Sequence, residues 1–166
     1  MISCTITDLK DFMAKLLTSD CFDCFLLEQA LITTFNTFTI DGHLEKDFYT
    51  EDEWNDPALC PYGLSPWSEL RSVCFSLIKG KKPPVTMKYV FQLKPEHMKK
   101  LLEENDCSLS DDILKAFILV IRYGVNQTTC TTGISFSSFV PDKTPEKIWD
   151  KAFQIFLEKH NISYQI

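Results

Sequence analysis

The stretch VTMKYVFQLKPEHMKKLL, residues 85–102, carries two periodicities back to back. Val85, Met87, Tyr89, Phe91 and Leu93 recur at every second position, which puts five apolar side chains on one face of a strand. Pro95 then opens a new register at a position where its missing N–H costs nothing, and Met98, Leu101 and Leu102 follow at helical spacing. A half-buried strand feeding an amphipathic helix needs both apolar faces turned to one core. The expectation is an α+β fold: an antiparallel sheet with helices on one face.

The amino-terminal residues read the same way. Ile2, Cys4 and Ile6 alternate as a strand, Thr7 stands where a helix cap belongs, and Leu9, Phe12, Met13, Leu16 and Leu17 form one helical stripe. Residues 25–40 are rich in β-branched and aromatic side chains and run into Asp41-Gly42, a dipeptide suited to a tight hairpin turn, with a return strand expected through Leu44 and Phe48. Residues 50–64 read as loop. Ser65-Pro66 starts a helix over 65–79 that carries Trp67, Leu70, Cys74 and Leu77, and Gly80 with Pro83-Pro84 ends it. Ile113 to Tyr123 reads as a buried strand, Gly124 to Asn126 as a turn, and 127–140 as one or two strands. Thr144-Pro145 opens a last helix with Ile148, Trp149, Ala152, Phe153 and Phe156 inward.

Thr5 to Leu17 and Val90 to Leu102 align without a gap, pairing Met13 with Met98 and Lys15-Leu16-Leu17 with Lys100-Leu101-Leu102. Each half also enters its second helix through a hydroxyl residue followed by proline. The pattern predicts one domain over 1–166 built as a tandem β-α-β-β-(β)-α repeat, with halves at about 1–82 and 83–166. A ferredoxin-like core over 2–93 with additions is the alternative.

Composition narrows the function classes. A chain of 166 residues with 45% hydrophobic side chains can bury a core without disulfide or metal staples, so disorder is not expected. The apolar run Ala116 to Ile121 is far short of the ~20 residues of a membrane-spanning helix, and no basic-then-apolar leader opens the sequence. A cytoplasmic location without membrane association is therefore expected. The seven cysteines are odd in number and scattered, which suits free thiols.

Phe25-Leu26-Leu27-Glu28, Thr39-Ile40-Asp41-Gly42, Ser65-Pro66-Trp67, Leu77-Ile78-Lys79-Gly80-Lys81, Met98-Lys99-Lys100-Leu101-Leu102 and Thr131-Thr132-Gly133 resemble an uncharacterised bacterial protein family of Gram-positive anaerobes. That resemblance covers most of the chain and implies no site residues. The repeated strand–helix–strands pattern is similar to the units of DNA sliding clamps, although no clamp motif matches and the helices at 65–79 and 145–159 depart from that pattern. The likeness implies a fold, not an activity.

Candidate chemistry is sparse. Cys21-Phe22-Asp23-Cys24 has redox or zinc spacing, but it follows a helix rather than opening one, and no second close Cys or His pair accompanies it. His43, Glu45 and Asp47 would share one face of the expected return strand and could hold a divalent cation or act as acid and base, or they simply charge a hairpin edge. His97 falls on an exposed helix side, and His160 follows the last helix, where a cation suits the dipole. Thr128, Thr129, Thr131, Thr132, Ser135, Ser137 and Ser138 read as the wet face of a sheet. With five scattered glycines there is no phosphate-cradling loop.

Charge is the strongest signal. The net charge of -6 excludes a uniformly basic nucleic-acid binder. Within it, Asp41, Glu45, Asp47, Glu51, Asp52, Glu53 and Asp56 form an acidic stretch relieved only by Lys46. Lys79, Lys81, Lys82, Lys88, Lys94, Lys99 and Lys100 form a basic stretch relieved only by Glu96. With no catalytic or cofactor set in view, the sequence points first to a non-enzymatic cytoplasmic interaction protein of unknown partner, self-association included. The alternatives are a clamp-like factor tracking phosphates with the outward lysines of its repeat helices, Lys10, Lys15, Lys99 and Lys100, and a small metal-dependent enzyme at the His43 hairpin. No cofactor is expected.

Overall fold

The computed structural model describes residues 1–110 and 112–166. In chain order the elements are β1 (Ser3–Ile6), α1 (Leu9–Leu17), β2 (Phe25–Thr33), β3 (Thr37–Asp41), α2 (Glu51–Asn55), β4 (Ser65–Pro66), α3 (Trp67–Ile78), β5 (Thr86–Leu93), α4 (Pro95–Glu104), β6 (Leu114–Tyr123), β7 (Thr128–Phe136), α5 (Thr144–Lys159) and β8 (Tyr164–Gln165). The strands form one antiparallel sheet in the order β3-β2-β5-β6-β7-β1-β8, with β4 also on β2. The α+β class, the antiparallel sheet and the one-sided helical layer expected from the sequence are all present. No helix among the described residues is long and apolar enough to cross a membrane.

Strand register explains the core. Ala30, Tyr89, Ile121, Cys130 and Cys4 are successive cross-strand partners, and Leu27, Phe91, Leu119 and Thr132 form the next row. Alternation turns both rows to the same side, where all nine residues are buried. Helix residues Phe12, Leu16, Trp67, Cys74, Met98, Leu102, Trp149 and Phe153 join them in one cluster. Two indole N–H groups fasten the layers: Trp67 Nε1 donates to Leu16 O at 2.9 Å and Trp149 Nε1 to Ile118 O at 2.8 Å. A buried donor left unmade is expensive, so these bonds fix where α3 and α5 sit.

Among the helices α1 packs against α3 and α4 against α5. Strand pairing differs: β5 lies between β2 and β6, whereas β1 lies between β7 and β8. The short β8 and α2 have no counterpart in the sequence reading. Helix starts fall close to expectation. Asp8 rather than Thr7 caps α1 by accepting from the Asp11 N–H, and Pro66, rather than Ser65, is the residue before α3.

The region after β3 departs from expectation. The β2–β3 hairpin closes at 34–36, where Thr34 N–H donates to Asn36 O at 2.9 Å, so Asp41-Gly42 is not its turn. No return strand runs through Leu44 and Phe48. Instead residues 42–64 leave the sheet as a lobe containing a 3-10 turn (Lys46–Phe48) and α2, capped by a reciprocal Thr50–Glu53 box. The reason is competition for the edge of β2. A bulge between Leu27 and Gln29 shifts the register of β2 against β5, and on the opposite edge of β2, β3 pairs only from Gln29 onward while β4 takes Leu26 and Leu27.

Gly42 closes the neck of this lobe. Its N–H donates to Glu28 O at 2.9 Å and its carbonyl accepts from Ser65 N–H at 2.8 Å. A Cβ at this position would lie 1.8 Å from Leu27 O, so the glycine is needed for close backbone approach. Gly42→Ala is expected to cost about 3 kcal/mol by overpacking against backbone and to lower the Tm by roughly 5–10 °C. Thermal unfolding followed by circular dichroism checks this, and an unchanged Tm would contradict the neck geometry.

Candidate functional site

The acidic residues Asp41, Glu45, Asp47, Glu51, Asp52 and Glu53 are exposed on β3's end and the lobe, with Asp56 half-buried. The His43 arrangement expected of a return strand does not form. His43 makes a lone bridge to Leu64 and its Nδ1 pairs with Asp41 Oδ1 at 2.6 Å, while Asp47 lies in the 3-10 turn, so alternation does not align His43, Glu45 and Asp47. Among the described residues no group of three or more His, Cys, Asp or Glu side chains is placed to hold a metal ion.

The basic stretch is contiguous in sequence and divided in space. Lys79, Lys81 and Lys82 occupy the α3–β5 loop, whereas Lys94, Lys99 and Lys100 belong to the start and middle of α4. Between them runs β5, eight residues long. At the usual strand rise that separation is about 24 Å. Lys94 Nζ also lies 5.9 Å from the centre of the Tyr62 ring, and Tyr62 Oη donates to Glu96, so the lobe rests against the beginning of α4.

Residues the sequence left scattered converge elsewhere. The turn after α1, α4 and the second half of α5 enclose a cleft of about 390 Å3. Phe25, Leu93, Leu101, Trp149, Ala152 and Phe156 supply apolar lining, Cys21 and Cys24 line it from the turn, and His97, Lys100, Lys159 and His160 bring basic groups, with Asp20 and Glu104 as acidic ones. The turn follows from its own hydrogen bonds: Asp23 N–H to Asp20 O, Phe25 N–H to Phe22 O, and Lys94 N–H to Cys24 O, which ties it to the start of α4. Phe22 anchors it by edge-to-face contacts with Phe12 and Phe156.

Burial dominates the titration of these groups. It pushes the Cys24 thiol up to about 12 and the Cys21 thiol to about 11, so both stay protonated at neutral pH. His160, whose ring centre lies 4.6 Å from that of Phe156, has its pKa lowered, by burial first and then by Lys159 and Lys15. The helix-dipole expectation of a cation at this position is thus reversed. Thr129, Thr131 and Ser135 are half-buried, outside the core rows, as the hydroxyl run implied, but Thr128 and Thr132 are buried on the core side. The signal for the cleft was the i, i+3, i+7 spacing of Trp149, Ala152 and Phe156. In sequence that stripe is indistinguishable from core.

The lowered His160 pKa fixes a sign. The unfolded imidazole binds its proton more tightly, so the associated stability is complete well above the ordinary value of 6.5 and is lost as pH falls through that value toward the lowered one. Asp41, Glu96 and Asp142 have lowered pKa values and act only below the ordinary carboxylate range. Urea midpoints should therefore decline between about pH 7 and pH 5 and decline less in His160→Gln.

A family model described as "Family of unknown function (DUF5721)" matches residues 15–165. No curated protein and no solved structure matches the chain.

Proposed function

The chain belongs to this family of unknown function, and we propose that it is a non-enzymatic binding protein whose α4–α5 cleft receives a small, flat, largely apolar ligand. The observation that carries this reading is the cleft itself, about 390 Å3 and walled by Phe25, Trp149 and Phe156 with charged groups around it. Binding sites for small molecules combine such an apolar floor with a few polar groups that fix orientation. The two thiols of the cleft are protonated, and a nucleophilic or metal-binding cysteine has to be thiolate. Lys100 is already within 3.8 Å of Glu104, so the basic and acidic groups partly offset each other. That favours an apolar ligand with one polar end over a multiply charged one.

A reducing, cytoplasmic setting fits the same picture. The odd number and wide scatter of the seven cysteines suit free thiols in such a setting. The phosphate-tracking alternative would use Lys10 and Lys15 of α1 with Lys99 and Lys100 of α4, and it gains little from the rest of the Lys79–Lys100 stretch, of which Lys79, Lys81 and Lys82 lie at the far end of β5. The metal-dependent alternative loses the strand on which His43, Glu45 and Asp47 were to align.

Anilinonaphthalene sulfonate, an aromatic molecule with one acidic group, is a suitable probe. Native protein should bind it with enhanced, blue-shifted emission and with quenching of Trp149. Ala152→Trp, which fills the cleft, should weaken binding by roughly tenfold or more while leaving the circular dichroism spectrum unchanged. Absence of binding below the unfolding temperature, or binding insensitive to Ala152→Trp, would remove the cleft from consideration.

A further inference from the structure

The acidic lobe and the Lys79–Lys82 loop sit at opposite ends of β2, and each combines charge with exposed apolar surface. The lobe's neck is held at Leu27 and Glu28, whereas the β2–β3 hairpin tip follows Thr33. Those points are about 17 Å apart at the usual strand rise. At the tip, the hairpin and the α3–β5 loop enclose a groove of about 490 Å3. Phe35, Leu77, Ile78 and Val85 line it, and Phe35 is 86% exposed. Lys79, Lys81 and Lys82 also line it and are exposed. Thr34 belongs to the same lining, and its Oγ1 is buried without a hydrogen-bond partner among the described residues.

The lobe offers the complementary features. Phe48 is 84% exposed, and Asp47 and Glu51 flank it in sequence with Asp52 next along, all exposed. Glu53 is committed to the Thr50 capping box, which leaves Asp47, Glu51 and Asp52 to project from the lobe. An exposed aromatic ring amid carboxylates on one end thus faces a need matched by an apolar groove amid lysines on the other.

We propose that this protein self-associates head to tail, the Phe48 side of one copy's acidic lobe entering the Lys79–Lys82 groove of the next. The ring removes apolar surface from water on both partners, and the carboxylates meet the three lysines. The two surfaces differ and lie at opposite ends, so the contact is heterologous. A head-to-tail pair keeps one lobe and one groove unused, and growth continues until a ring closes or a filament forms. This contact is separate from the α4–α5 cleft, and its outcome does not depend on whether the cleft binds a ligand.

Sedimentation velocity tests it. At about 20 mM salt the weight-average mass should rise with protein concentration beyond twice that of the monomer, and the rise should disappear at about 500 mM, where charges are screened within a few ångströms. The lobe variant Phe48→Asp and the groove variant Lys79→Glu/Lys81→Glu/Lys82→Glu should each stay monomeric at low salt. Mixed in equal amounts they should form a 1:1 complex and nothing larger, because only one intact lobe and one intact groove are then present per pair. That rescue also shows both variants to be folded. A wild type that stays monomeric at low salt, a mixture that does not associate, or self-association of either variant alone would overturn the proposal. So would a monomeric wild type that instead pellets with phosphatidylserine vesicles through the three lysines, since the groove's occupant would then be a lipid surface.

Discussion

A sheet that turns one apolar face inward has to be covered, and the covering layer here is held by aromatic rings and two indole hydrogen bonds. Trp67 stands edge-on to Tyr89 and Phe91, with ring centres 5.5 and 5.0 Å apart, and its N–H reaches the last turn of α1. Trp149 stacks on Phe117 at 5.3 Å and bonds to the backbone of β6. These contacts combine large buried area with a donor that accepts few alternatives. Between them they settle the seats of α3 and α5, and through helix pairing those of α1 and α4. The α4–α5 cleft is what remains where that layer meets the turn after α1.

The second organising feature is the edge of β2. That edge is shared by two strands, β4 at Leu26 and Leu27 and β3 from Gln29 onward, and the chain between them leaves the sheet between Gly42 and Ser65. The lobe so produced collects most of the acidic stretch on the side of the molecule where α4 begins. The hairpin tip at the other end of β2 meets the α3–β5 loop and its lysines. Charge polarity visible as two runs in the chain thereby becomes polarity along the sheet. One basic run also becomes two separate groups, because a fully extended strand lies between its halves.

Much of the fold was legible because local physics and tertiary packing agree. The alternation over Val85–Leu93, the stripe over Leu9–Leu17 and the proline-led starts of α4 and α5 each state a period that no other element type satisfies, and strands and helices formed there within a residue or two. The failures share a cause. Asp41-Gly42 looks like a turn, but Gly42 is required by the carbonyl of Leu27, a residue fifteen positions earlier. His43, Glu45 and Asp47 would align only if a neighbouring strand were free to pair with them, and β4 occupies that place. The convergence of Cys21, Cys24, His97 and His160 on one cleft could not be read from spacing, since three separate elements bring it about.

The class of fold, the apolar face of each element and the two charge runs follow from the order of residues, because periodicity and composition are properties of neighbouring residues. Tertiary structure alone decided which edges were available for pairing, where the chain had to leave the sheet, and which titratable groups burial would hold neutral. Those outcomes depend on competition among distant segments for the same hydrogen bonds and on exclusion of water from their junctions. Neither has a local signature. The thiols of Cys21 and Cys24 show the distinction: their C-x-x-C spacing is local, whereas the burial that pushes both thiols up comes from the elements packed around the turn.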